Sequence, residues 1–189
     1  MKILLLDNYD SFTYNIAHYL RELTGNKIPV IRNDQISVED VGAYDAIVLS
    51  PGPGLPADAG IMHDLIRKYA PSKKILGICL GMQAIGEVFG GTLLNLPEVF
   101  HGVATTATIL TPNEILFQGM SEKIEVGRYH SWVVDEKTLP LILEITAIDD
   151  SGHIMALRHK KFDVRGVQFH PESVLTPYGK MMISNWLGS

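Results

Sequence analysis

With 189 residues and 46% hydrophobic content, the chain can bury a sizeable core as one domain, residues 1–189, and has no room for a second catalytic domain. A formal charge of -5, without any Lys/Arg run, argues against a phosphate-backbone partner, so no nucleic acid is expected. Cys79 is the only cysteine, which excludes an intrachain disulfide and multi-cysteine zinc sites and fits a reducing, cytoplasmic setting.

The apolar start Ile3-Leu4-Leu5-Leu6 stops at Asp7, far short of a signal sequence, and no later run approaches a membrane span, so no membrane role is expected. Lys2 to Leu6 has the compact apolar composition of a strand buried on both faces, and Asp7-Asn8-Tyr9-Asp10-Ser11 turns it into a helix. Phe12, Ile16, Tyr19, Leu20 and Leu23 mark that helix's buried stripe, and Gly25 ends it. Strands follow at Ile28 to Ile31 and Ala46 to Leu49. Alternating β and α of this kind predicts an open, doubly wound α/β sheet, mostly parallel, with flanking helices and ligands bound beyond the strand C-termini.

The strand ending at Leu49 runs into Ser50-Pro51-Gly52-Pro53-Gly54-Leu55-Pro56. Prolines stiffen this loop and glycines bare its backbone N–H groups, which suits ligand contact, although Pro-Gly pairs also make ordinary turns. Ile61, Met62, Leu65, Ile66 and Tyr69 then give an amphipathic helix. Next comes strand, tight turn and helix: Ile75, Leu76 and Ile78, then Gly77-Ile78-Cys79-Leu80-Gly81, then Gln83 to Phe89 closed by Gly90-Gly91. The spacing is that of a nucleophile elbow with Cys in place of Ser. Small neighbours let the side chain project from a sharp corner, and the following amides point at an incoming carbonyl oxygen. Taken alone, the motif reads equally well as a buried cysteine before a glycine-tolerant turn.

After Gly91 the pattern changes. Thr92 to Leu96, Thr105 to Leu110, Trp132 to Val134, Leu141 to Ile148 and His153 to Leu157 read as short strands with little helix between, so the second half is expected to be more antiparallel. Gly166 to Phe169 is one more strand, and Tyr178 to Leu187 a closing helix with Met181, Met182 and Trp186 as candidate core contacts.

A cysteine nucleophile needs a base, and the base needs an orienting partner. His170-Pro171-Glu172 supplies both if the segment is extended, because residues two apart then project to the same side. His170-Pro171-Glu172 can also be a satisfied turn. His18, His63, His101, His130, His153 and His159 are weaker candidates and show no metal-ligand spacing, so no metal is expected.

Five segments together resemble the triad (class I) glutamine amidotransferases, and within them the glutaminase subunits of anthranilate synthase and aminodeoxychorismate synthase. They are Asp7 to Asn15, Ser50 to Pro56, Gly77 to Gly81 with Gln83, Arg128 to Ser131, and Gly166 to Ser173. The resemblance implies the class I amidotransferase version of a flavodoxin-like fold. It further implies that Cys79 attacks the side-chain amide of L-glutamine, with His170 as base and acid and Glu172 orienting it. Gly52 and Leu80 then give oxyanion amides, and Pro53, Gly54, Gln83, Ser131 and Trp132 belong to the substrate site. It implies no cofactor in this chain, with Mg2+ on a separate chorismate-using synthase that receives the ammonia, and a docking surface near the elbow and Asp7 to Asn15.

Met82, Trp132 and Val103 depart from the usual family residues, His, Leu and Lys, in positions bearing on partner contact and glutamine affinity. Tryptophan biosynthesis is the leading pathway, with folate biosynthesis, or service to both, as the alternative. A non-catalytic regulatory subunit would have lost Cys79, His170 or Glu172, and all three are present. A hydrolase of another γ-glutamyl compound would share the mechanism without needing a synthase.

Overall fold

The computed structural model describes residues 1–188. Its elements run β1 (Ile3–Asp7), α1 (Thr13–Thr24), β2 (Val30–Arg32), β3 (Ala46–Leu49), α2 (Met62–Tyr69), β4 (Lys74–Ile78), α3 (Leu80–Val88), β5 (Leu93–Asn95), β6 (Val103–Ile109), β7 (Lys123–Arg128), β8 (Trp132–Val134), β9 (Leu143–Asp149), β10 (Ile154–His159), β11 (Val164–Val167) and α4 (Gly179–Gly188). The large sheet has the order β2-β1-β3-β4-β11-β10-β9-β6-β7, and β5 pairs separately with β8.

From β2 to β11 every pairing is parallel, and from β11 to β7 every pairing is antiparallel. The parallel half is doubly wound because its strands are apolar on both faces. Ile3 and Leu5 pack with Ile16 and Leu20 of α1 and Met182 and Trp186 of α4, whereas Leu4 and Leu6 pack with Leu65 and Ile66 of α2 and Ile85 of α3. Winding reverses between β1 and β3, so their C-terminal ends part around a crevice. Among the described residues no helix is long and apolar enough to cross a membrane.

Several details differ from the sequence reading: β2 begins at Val30, leaving Ile28 outside it, β6 begins at Val103, and β10 runs from Ile154 to His159. β7 occupies a segment assigned no strand; its alternation, with Ile124 and Val126 buried between exposed Lys123 and Glu125, is the signature of a half-buried strand, but it carries only two apolar anchors. β11 ends at Val167, leaving Phe169 outside it, and β9 begins at Leu143, with Leu141 88% exposed. α4 begins at Gly179, and Met181 lies on its outer face, whereas Met182 and Trp186 are core residues.

Candidate active site

Cys79 sits between β4 and α3 at φ 52 and ψ -101, a left-handed backbone that costs a non-glycine residue about 1–3 kcal/mol and persists only where its surroundings enforce it. They do so through two hydrogen bonds: its N–H donates to the Val167 carbonyl at 2.8 Å and its carbonyl accepts from Gln83 N–H at 3.1 Å. The flanking glycines are steric requirements. A Cβ on Gly77 would lie 2.5 Å from the Gly81 backbone, and one on Gly81 would lie 2.7 Å from Leu49. The strand therefore enters the corner and the helix leaves it in direct backbone contact, which aims Cys79 into a cleft of about 220 Å³.

Gly52, Pro53, Gly54, Cys79, Leu80, Gln83, Ser131 and Trp132 all line this cleft, so residues far apart in sequence share one cavity. The Leu80 amide opens α3 and is one of the first-turn N–H groups that have no acceptor within a helix. Gly52 is pressed against Asn8 and Leu80. Asn8 stitches the neighbouring loop ends together: its N–H donates to Ser50 Oγ and its Nδ2 to the Ser50 carbonyl, each at 2.8 Å.

His170 and Glu172 are buried beside the cysteine, with Nδ1 2.6 Å from Glu172 Oε1. The pair is held by a turn, not by an extended segment: Ser173 N–H donates to the His170 carbonyl at 3.2 Å, and Thr176 Oγ1 donates to the same carbonyl at 2.7 Å. β7 anchors the turn from the far side, since His170 N–H donates to the Gly127 carbonyl at 3.0 Å. Burial alone would push the imidazole's pKa down, but its interactions with Cys79 and Glu172 outweigh that and raise it to about 10. The proton therefore rests on His170 at neutral pH. Tyr129 and Phe12 cover the ring, with centroids 4.7 and 5.7 Å away.

Sequence reasoning ranks His130 low and assigns no role to Arg128 or Gln168. In the structure His130 lines the cleft, and Arg128 Nε donates to its Nε2 at 3.1 Å. Because guanidinium only donates, Nε2 must accept, and Nδ1–H donates to the Trp132 carbonyl at 3.0 Å. Burial first, and then the Arg128 charge, push the His130 pKa down to about 3. Arg128 is itself buried and tied to Asp149 of β9 at 2.8 Å.

The same Trp132 carbonyl accepts from Gln83 Nε2 at 2.9 Å, so Trp132 enters this network through its backbone. Met82 is fully buried against Gly166, where a Cβ would lie 2.7 Å from Met82 Cγ. Its departure from the family pattern is therefore a packing matter within the sheet and helix layer, and does not reach the surface. Val103 begins β6 and is 42% exposed.

The chain is 46% identical over 98% of its length to the bifunctional protein TrpGD of Thermotoga maritima, of which it spans 32%. It is 44% identical to aminodeoxychorismate synthase component 2 of Escherichia coli, covering 98% of each chain. A Thermoplasma acidophilum structure described as a GMP synthase subunit superposes with a TM-score of 0.88 at 28% identity, over all of this chain and 92% of that one. Residues 4–188 match the class-I glutamine amidotransferase family, and with the relatedness just given the chain belongs to that family.

Proposed function

We propose that this chain hydrolyses L-glutamine and delivers the ammonia to a separate chorismate-using synthase. The observation that carries the reading is the buried Cys79–His170–Glu172 arrangement opening onto a cleft walled by Gly52, Leu80 and Gln83.

The Cys79 thiolate attacks the side-chain amide carbon of glutamine, and the carbonyl π electrons move onto oxygen. That oxyanion is received by the Gly52 and Leu80 amides, preorganised donors of the kind whose loss costs about 3 kcal/mol of transition-state stabilisation. His170, already protonated, gives its proton to the departing nitrogen as the C–N bond breaks, leaving a γ-glutamyl thioester, ammonia and neutral imidazole. His170 next takes a proton from water, the hydroxide adds to the thioester, and glutamate leaves as thiolate and imidazolium are restored. Glu172 keeps Nδ1–H oriented throughout and stabilises the imidazolium. With both Nε2 hydrogens of Gln83 directed to protein acceptors, its Oε1 remains to accept from the substrate ammonium.

Ammonia released to water would protonate and diffuse, so a docked acceptor is part of the reading. The Asp7 to Asn15 segment is suited to sense it. Phe12 packs on His170 while Tyr9 and Tyr14, either side of it, are 48% and 65% exposed. Anthranilate synthesis is the leading pathway; comparable identity to the Escherichia coli aminodeoxychorismate synthase component supports the folate pathway, or both, as the second reading. The test is ammonia release from glutamine by the purified chain, alone and with each candidate synthase, against Cys79→Ala. Cys79-dependent release stimulated by one synthase is expected and names the pathway. No release under any condition overturns the proposal.

A further inference from the structure

We propose that Gln168 is a thiolate-stabilising residue of this site, donating a hydrogen bond from Nε2 to Cys79 Sγ. The sulfur lies 3.5 Å from Nε2, and Gln168 is fully buried. Its backbone is pinned as well, its N–H donating to the Met155 carbonyl at 2.8 Å just past the end of β11.

Which end of the Gln168 amide faces the sulfur is fixed by the polarity of the network behind it. Asp149 accepts from Arg128, Arg128 donates to His130, and His130 donates to the Trp132 carbonyl. That carbonyl can only accept, so Gln83 must present its NH2 group there, at 2.9 Å. The same NH2 group reaches Gln168 at 3.3 Å, which requires Gln168 to offer Oε1 on that side and therefore N–H on the other. A donor aimed at sulfur favours the anionic acceptor over the protonated thiol, because a hydrogen bond to a charged group is stronger than one to a neutral group. His170 and Gln168 thus stabilise the thiolate from separate directions. Gln168 also joins the nucleophile to Gln83, the residue facing the substrate's ammonium, so occupancy of the substrate site and the electrostatics of the sulfur share one amide.

The other titratable groups around the sulfur are His170, backed by Glu172, packed by Tyr129 and within electrostatic reach of Asp10, and His101, Tyr129 and His130, which share the cleft with Cys79. None supplies a donor from the Gln168 direction. The inference rests on Cys79 being the working nucleophile, but its test needs no glutamine.

Since Cys79 is the only cysteine, alkylation by iodoacetamide reports on its thiolate alone. Gln168→Met keeps the volume and removes the donor; Gln168→Glu keeps the length and the acceptor toward Gln83 but turns a carboxylate toward the sulfur. On the acid limb of its pH profile, alkylation of Gln168→Met is expected to be about tenfold slower than wild type, from loss of one charge-assisted hydrogen bond, with that limb moved toward alkaline pH. Gln168→Glu is expected to be slower still. A residue that merely fills space gives instead a Met variant whose profile overlays wild type, and that result overturns the proposal. If the Met variant does not fold, the Glu variant decides alone: an unshifted profile overturns the proposal just as firmly. Glutamine hydrolysis can fail for want of the right substrate or partner without touching either profile.

Discussion

Gly52 lies so close to Asn8 that a Cβ added to it would sit 2.5 Å from the Asn8 carbonyl oxygen. The contact binds the loop after β3 to the loop after β1, across the crevice where the winding reverses, and the absence of a side chain lets the Gly52 amide approach the elbow. In the proposed mechanism the fold's own branching point thereby positions an oxyanion donor.

Gly52→Ala must therefore move that amide. Hydrolysis of glutamine is expected to fall by about 10²–10³-fold, the usual cost of one oxyanion donor, with a smaller change in KM. Alkylation of Cys79 by iodoacetamide, which builds no oxyanion, is expected to stay close to wild type. Comparable losses in both assays would mean that the substitution disturbs the elbow itself.

The parallel half of the sheet was legible because continuous apolar strands such as Ile3 to Leu6 and Ala46 to Leu49 have only one place to go, between two helix layers. The elbow was legible because Gly77 answers to a steric need that is local in sequence, its contact with the Gly81 backbone. The relay from Asp149 to Gln168 was not. A buried Arg128 or Gln168 cannot be told from a surface polar residue until topology brings β7, β9 and the end of β11 into one hydrogen-bonded network. For the same reason the turn at His170 could be read only as an alternative to an extended segment, since half of what holds it, the Gly127 carbonyl, belongs to a strand carrying only two apolar anchors.

His170 makes stability fall on the alkaline side. Its folded pKa, about 10, lies above the ordinary imidazole value of 6.5, so its contribution is fully present below about pH 6.5 and is lost as pH rises toward 10. The slope from one such group approaches ~1.4 kcal/mol per pH unit at most. Glu172→Gln removes one of the interactions that raise the pKa, so its urea-unfolding free energy is expected to vary less than wild type across that window. Parallel pH curves for the two proteins would contradict the assignment.

His130 acts on the acid side with the opposite sign. The unfolded chain takes up a proton near pH 6.5, whereas the folded chain resists until about 3, so stability is full above 6.5 and declines as pH falls between those values. His159 adds in the same direction, since burial lowers its pKa and its Nδ1 accepts from the Lys161 and Phe162 amides at 3.0 and 2.9 Å. Unfolding of His130→Gln followed between pH 7 and 5 is expected to show a shallower decline than wild type; an unchanged slope would place the acid sensitivity elsewhere.

Trp132 and Gln83 separate a side-chain contribution from a backbone one. Both hydrogen bonds that tie Trp132 into the site use its carbonyl oxygen, so Trp132→Leu preserves them. Gln83→Leu deletes the bond to that carbonyl, the bond to Gln168 and the acceptor offered to substrate. Loss of one bond to a charged group corresponds to about tenfold or more in binding, so Gln83→Leu is expected to raise KM for glutamine by at least that factor. Its alkylation rate should fall too, because Gln168 loses the partner that orients it, while Trp132→Leu should leave alkylation unchanged and alter KM less. If Trp132→Leu instead reproduced both losses, the indole would be holding the segment in place, and the network would depend on side-chain packing as well as on the carbonyl.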